Sequence, residues 1–317
     1  MQVSTVFQQM TVVLIIMTVG FICRKKSVIS ADNNRFLSEI LLNIFNPCIV
    51  ISSMLDADIE DRGTFYLSFG LIAGTYILTI LAGLLITRLL SKDKIERDIF
   101  QLLLVFANVG FIGIPVVKAL FGTKYLAYVV IFNFEYDILI YTYGYALIPD
   151  MRNGGASAEE RKDKRKALLR NIINPGTISC VIAFVIFFFK ISLPNVLSIS
   201  IGYLGDTCVP LSLMIIGANI AQYSFKQIAS DPKTYIFCVI KLILLPAFLI
   251  FLIKRLPLPE DYLQCIAVML ALPSGTMPQM IALERGVDSK LCSACIVFST
   301  VLSVLTIPLI VYLYPFL

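Results

Sequence analysis

The chain has 317 residues, 58% of them hydrophobic and only 15% charged, with a mean hydropathy of +0.86. A soluble protein carries about 25% charge, so the composition excludes an ordinary soluble domain and points to a polytopic membrane protein. The formal charge of +5 asks for no nucleic acid, and with no histidine a His-ligated metal and a Ser/His/Asp triad are excluded.

Ten apolar runs follow one another, at about 4–23, 36–55, 64–90, 99–121, 124–149, 169–189, 195–221, 233–253, 260–284 and 289–315. Each is long enough for a bilayer core, which takes about 20 helical residues. The first lacks the basic leader of a cleavable signal and runs into Arg24-Lys-Lys26. That order reads as an uncleaved span with its N-terminus outside. With this orientation, 19 of the 26 lysines and arginines fall on inner loops and five on outer ones. The bias predicts a multi-pass plasma (inner) membrane protein with both termini outside and the central loop in the cytoplasm.

Several runs carry residues that a plain membrane helix avoids. Run 2 holds Asn43 and Asn46-Pro47. Run 4 holds Asn108-Val-Gly-Phe-Ile-Gly-Ile-Pro115, so Asn108, Gly110, Gly113 and Pro115 fall mid-run. Glycine is a poor helix former and proline removes an N–H, so this helix is expected to stop and restart. Freed backbone at membrane depth is tolerated only in protein or along a cavity. Run 5 holds Asn133-Phe-Glu135-Tyr-Asp137. A carboxylate at mid-depth costs about 2.5–3.5 kcal/mol and marks an ion or substrate route, or a buried ion pair. Asn133 and Asp137 share a helix face; Glu135 points elsewhere. Lys118 and Lys241 are the lysines inside the runs and the candidate partners.

Residues 152–170 are polar and basic and read as a cytoplasmic connector that touches anionic lipid headgroups. Run 7 holds Pro210, and run 9 holds Pro273-Ser-Gly-Thr-Met-Pro278, a second expected break. Cys292-Ser-Ala-Cys295 has CxxC spacing on an apolar run; buried small apolar residues are the simple reading and a redox or metal role the alternative. Ser299, Thr300 and Ser303 in run 10 suit close helix packing. Pro210 follows Pro47, and Pro278 follows Pro115, by the same 163 residues. This offset predicts two five-span repeats, 1–150 and 169–317, joined by a linker at 151–168. Five is odd, so the second repeat is inverted, as in many secondary carriers.

On these residues, and on Phe298-Ser-Thr-Val-Leu-Ser-Val-Leu-Thr-Ile-Pro308, nearly the whole chain resembles the auxin efflux carrier family, in its bacterial branch. The resemblance implies an all-α integral membrane fold of ten helices as two inverted five-helix repeats. Spans 1, 2, 6 and 7 are then a scaffold. Spans 3–5 and 8–10 are a transport domain in which broken spans 4 and 9 cross. It also implies small carboxylates, such as malate, malonate or auxin, as substrates. The long central loop of the plant members and the acid–lysine pair of their span 3 have no counterpart here.

At such a crossing, two half-helix N-termini aim N–H groups at one place, which suits a carboxylate. Substrate binding is therefore expected from Asn108, Gly110, Gly113 and Pro115, from Ser274, Gly275, Thr276, Pro278 and Gln279, and from Asn46 of span 2, with Gln101 a weaker candidate. Ion or proton coupling is expected from Asn133, Glu135, Asp137, Lys118 and Lys241. The function expected is a secondary transporter of small organic anions working by alternating access, coupled to H+ or Na+ or to neither. A channel, or a membrane sensor or receptor for a small carboxylate, is the alternative. No enzymatic activity and no resident cofactor or metal are expected. The partners are the carboxylate, the bilayer and, where the chain self-associates, a second copy in a homodimer.

Overall fold

The computed structural model describes residues 3–55, 62–148, 173–222, 231–288 and 290–317. The linker expected at 151–168 lies outside the described residues. Among the described residues the chain is all-α, and its single extended pairing is an isolated antiparallel bridge between Ala107 and Ser274.

The first half comprises α1 (Val3–Lys25), α2 (Ala31–Ile40), α3 (Asn46–Leu55), α4 (Arg62–Leu90), α5 (Lys94–Val105), α6 (Ile114–Phe121), α7 (Leu126–Leu139) and α8 (Tyr145–Leu147). The second comprises α9 (Pro175–Phe189), α10 (Asn195–Ile220), α11 (Pro232–Val239), α12 (Leu245–Ile253), α13 (Glu260–Leu270), α14 (Met277–Glu284) and α15 (Lys290–Leu313). π-helical turns join α2 to α3 (Leu41–Phe45), α7 to α8 (Ile140–Gly144) and α11 to α12 (Ile240–Leu244). The first of these stands just before Pro47, where sequence predicts a kink, whereas Pro210 lies inside the unbroken α10. The two prolines that share the offset thus differ locally: the wider turn accommodates the ring at one site, and helix continues through the other.

Helix starts follow their capping chemistry. Ser30, Asp93, Asn174 and Asp231 each accept a backbone N–H of the turn they precede, and Pro175 and Pro232 occupy first-turn positions that need no donor. Near the start of α5, Glu96 accepts from Lys233 of α11 and from Ser91. The Lys233 ammonium, then Ser91, hold the Glu96 carboxyl below the usual carboxylate range.

Among the described residues, six helical stretches are long and apolar enough to cross a membrane: Val6–Lys25, Asp32–Leu55, Phe65–Leu90, Asn195–Ile220, Pro232–Ile253 and Lys290–Phe316. Val109–Phe121 and Pro175–Phe189 are shorter apolar helices. Leu81, Leu85 and Leu89 of α4 and Val196 of α10 are exposed. Such outward apolar rows are what a bilayer solvates.

Two sets of helix contacts stand out, and α1 packing along α15 joins them. In one, α1 lies along α10, and α3 is held by α9 and α10. In the other, α4 packs on α5 and α7, and α15 packs on α5, α11 and α13. Backbone contact marks the first group. A methyl added at Gly20 of α1 would sit 2.0 Å from the Met214 carbonyl oxygen, and one at Gly217 of α10 would sit 1.8 Å from that of Met17. Small residues that let backbones touch are the main source of helix association in lipid.

Gly20→Ala and Gly217→Ala are therefore expected to destabilise the detergent-purified protein by about 1–3 kcal/mol or more. Gly202→Ala, on the same helix as Gly217 with nothing within 4 Å, is expected to leave the melting temperature unchanged. Equal melting temperatures for all three variants would contradict this packing.

Candidate functional site

Both expected breaks are present, and they face each other. α5 stops at Val105, Phe106 turns extended (φ −98°, ψ 91°), and the chain restarts as a π-helical turn, Val109–Gly113, leading into α6. α13 stops at Leu270, and α14 begins at Met277 with Pro278 in its first turn. Between them Asn108 N–H donates to Pro273 O (2.8 Å) and Gly275 N–H donates to Phe106 O (2.9 Å). Each break thus satisfies part of the backbone that the other frees.

The carboxyl end of α5 has its own partners. Ser274 is fully buried; its hydroxyl donates to Leu103 O (2.9 Å), and its N–H donates to Ser299 Oγ (3.3 Å). Lys241, 4% exposed, donates its ammonium to Leu104 O (2.8 Å). A cation here meets the negative end of the helix dipole and a carbonyl that the break leaves free.

The amino ends are more open. Asn108 caps the π-helical turn by accepting Phe111 N–H on Oδ1 (3.2 Å), which leaves its NH2 group as the donor end. The N–H groups of Gly110, Thr276 and Met277 have no hydrogen-bond partner among the described residues. All four residues line one cavity of about 250 Å³. Its walls also include Asn43 and Asn46 beside α3, Asn133 and Asp137 of α7, Tyr136, Tyr141, and Asn174-Pro175-Gly176 at the start of α9. Asn46, Asn108 and Asn133 are each more than nine-tenths buried. Asp137 Oδ2 accepts the Thr177 hydroxyl of α9 at 3.3 Å.

Of the residues expected from sequence to bind a guest, the fold gathers Asn46, Asn108, Gly110, Gly275 and Thr276 around this cavity. It turns the others away. Gly113 packs on Leu272 and Met269; Pro115 and Pro278 are buried in first turns. Ser274 ties the crossing, and Gln279 donates to Ser293 Oγ (2.9 Å). Gln101 donates to Ile80 O and to Tyr143 OH, pinning α5 to α4. Among the expected coupling residues, Asn133 and Asp137 share the cavity wall, as their four-residue spacing predicts, and Glu135 is outside it. Neither lysine pairs with them. Lys241 caps α5, and Lys118 of α6 pairs with Asp206 of α10.

Sequence reading missed Asp206, Asn174, Tyr136 and Tyr141. Asn174-Pro175 ahead of an apolar run carries a helix-start signal, which could have drawn attention to α9. Nothing local distinguishes Asp206 inside α10. All eight cysteines are free thiols, and Cys292 and Cys295 are buried on α15.

A family profile described as membrane transport protein matches residues 5–311. The chain is 22% identical over 300 residues to an uncharacterized transporter of Methanothermobacter thermautotrophicus, covering 94% of each chain. It is 23% identical over 316 residues to an uncharacterized transporter of Methanocaldococcus jannaschii, with 94% of this chain and 95% of that one covered. It is 20% identical over 305 residues to the uncharacterized transporter YfdV of Escherichia coli K12, covering 95% of each.

The two roles at the second break separate experimentally. Ser274→Ala removes buried hydrogen bonds and strands Leu103 O, so a stability loss of about 1–3 kcal/mol is expected. Thr276→Ala, at the cavity wall, is expected to keep the wild-type melting temperature. The reverse ranking in a thermal-shift assay would exchange the two roles.

Proposed function

The chain belongs to the membrane transport protein family, that of the auxin efflux carriers, and on that basis we propose that it is a secondary transporter of small organic anions. The observation that carries this reading is the set of open donors at the crossing: three backbone N–H groups and the Asn108 amide on one cavity. Amide donors at helix starts, with the positive dipole ends behind them, favour a carboxylate. A volume of about 250 Å³ suits a guest of few carbons, and malate or malonate is the size we favour.

The architecture belongs to the same proposal. Ten crossings form two inverted five-helix repeats, 1–150 and 169–317, joined by the 151–168 linker. The multi-pass protein places that linker in the cytoplasm and both termini outside. The group containing α1, α3, α9 and α10 is the scaffold, and the group carrying the crossing moves against it to expose the cavity to each side in turn. What supports this is the location of the paired breaks in only one of the two groups, which meet where α1 lies along α15 and where α3 and α9 pack on α7.

Saturable uptake of radiolabelled malonate or malate into proteoliposomes tests the proposal. Asn108→Asp keeps the oxygen that caps the π-helical turn and replaces the NH2 donor with a negative charge. It is expected to fold like the wild type and to lose malonate and malate binding by at least about 100-fold, since a hydrogen bond to a charged group contributes about 1.5–3 kcal/mol and repulsion adds to its loss. Undiminished affinity in this variant would remove Asn108 from the site, and sustained single-channel currents would replace the carrier with a channel.

A further inference from the structure

Resting on the anion reading, we infer that the cavity accepts a carboxylate only together with one proton, which Asp137 takes up. The inference comes from the charge balance of the walls. Asp137 is the one charged side chain lining the cavity among the described residues, and no lysine or arginine lines it. The two lysines within the crossing region are engaged elsewhere, Lys241 on Leu104 O and Lys118 on Asp206. A guest carboxylate therefore meets amide donors that favour it and one carboxylate that repels it. Among the described residues, no fixed cation on the cavity wall offsets the second negative charge.

The surroundings of Asp137 offer no other relief. From α9, Thr177 donates to it and Cys180 stands within range of its charge; from α4, Tyr76 does; along its own chain segment, Tyr136 and Tyr141 do. The π-helical turn Val109–Gly113 carries no ionisable side chain. α3 brings Cys48, and α6 brings Lys118, held by Asp206. Glu135 is on α7 but outside the cavity. Apart from Lys118, which Asp206 holds, and Glu135 outside the cavity, the ionisable groups named around Asp137 among the described residues are phenols and thiols, ordinarily neutral near pH 7. Like charges that share such a site disfavour joint ionisation, so one of the two carboxyl groups holds a proton. The proton moves from bulk water to an Asp137 carboxylate oxygen, and the resulting O–H can donate to the guest. With a monocarboxylate the loaded cavity then bears the same charge as the empty one. For such a guest, loading leaves the cavity no more charged than before, whereas a fully ionised dicarboxylate leaves it with one added negative charge.

The test is proton counting by isothermal titration calorimetry of the full-length protein in detergent, in two buffers of different ionisation enthalpy, with malonate, malate and indole-3-acetate as probes. About one proton is expected to be taken up per bound ligand. Affinity is expected to fall about tenfold per pH unit once Asp137 is ionised in the empty protein. Asp137→Asn is expected to bind without proton uptake and with a flat pH profile, and Glu135→Gln to keep the wild-type count. Binding to the wild type with no proton uptake overturns the inference while leaving the anion carrier standing, and needs no variant. Unchanged uptake in Asp137→Asn overturns Asp137 as the acceptor. Failure of all three probes to bind overturns the anion reading and this inference with it.

Discussion

The structure depends on one exchange of hydrogen bonds between two broken helices. A helix end leaves about four backbone groups without intrahelical partners. Away from water, each unsatisfied group costs a few kcal/mol. Here the breaks solve this reciprocally, through Asn108 N–H on Pro273 O and Gly275 N–H on Phe106 O. Ser274 and Lys241 then complete the carboxyl end of α5. Leu103 O and Leu104 O of that end are served by protein, while the N–H groups of Gly110, Thr276 and Met277 stay open on the cavity. The preference for negative charge that we propose for the cavity thus rests on how the fold closes its own backbone.

Much of this was legible in the sequence, and the boundary of legibility has a physical reason. Proline, glycine and asparagine inside apolar runs betray a break because they act on the backbone, and that effect is local. The breaks at 106–108 and 271–276 fall where Asn108-Val-Gly-Phe-Ile-Gly-Ile-Pro115 and Pro273-Ser-Gly-Thr-Met-Pro278 place them. The shared face of Asn133 and Asp137 is likewise legible, because helical periodicity determines it. What a sequence does not carry is the direction in which a non-helical residue points. Ser274, Gly275 and Thr276 are adjacent, yet the first is buried in the crossing and the others face the cavity. The partners of the lysines were misjudged for a related reason. Pairing Lys118 or Lys241 with a carboxylate on α7 assumed that buried cations seek acids. Lys241 instead found a helix carboxyl end, whose carbonyls exist only because of the break.

That placement shapes the electrostatics of transport. Two like charges roughly 5 Å apart repel by about 3 kcal/mol at an effective dielectric near 20. A lysine on the cavity wall would remove that conflict, but it would also hold an anion tightly. With the cations on the carbonyl end and on Asp206, the anion binding we propose rests on neutral donors, which under alternating access are present whichever side the cavity faces. Neutral amide donors bind an anion less tightly than an ion pair does, and a carrier benefits, because a guest that cannot leave is not transported.

The contacts between the two helix groups differ in kind from those within them. Inside the first group, Gly20 and Gly217 bring backbones together so closely that a methyl does not fit. Between the groups, the polar contacts include Lys118 with Asp206, Thr177 with Asp137, and Ser212 Oγ donating to Phe111 O at 3.2 Å. The Lys118 and Asp206 side chains are 32% and 66% exposed, so water or headgroups can replace the pair at a cost of about 1 kcal/mol or less. Thr177 can hydrogen-bond to water as well as to Asp137. Movement of one group against the other, which alternating access requires, breaks these exchangeable contacts and leaves the glycine contact and the bridged crossing intact. The link between Thr177 and Asp137 is the most informative. It joins α9 to the one acidic side chain on the cavity wall, so whatever neutralises or displaces Asp137 also loosens a bond that restrains the moving group. In the transport cycle we propose, loading and release from the scaffold then act on the same carboxyl group, which is the physical requirement for coupling a guest to a conformational change.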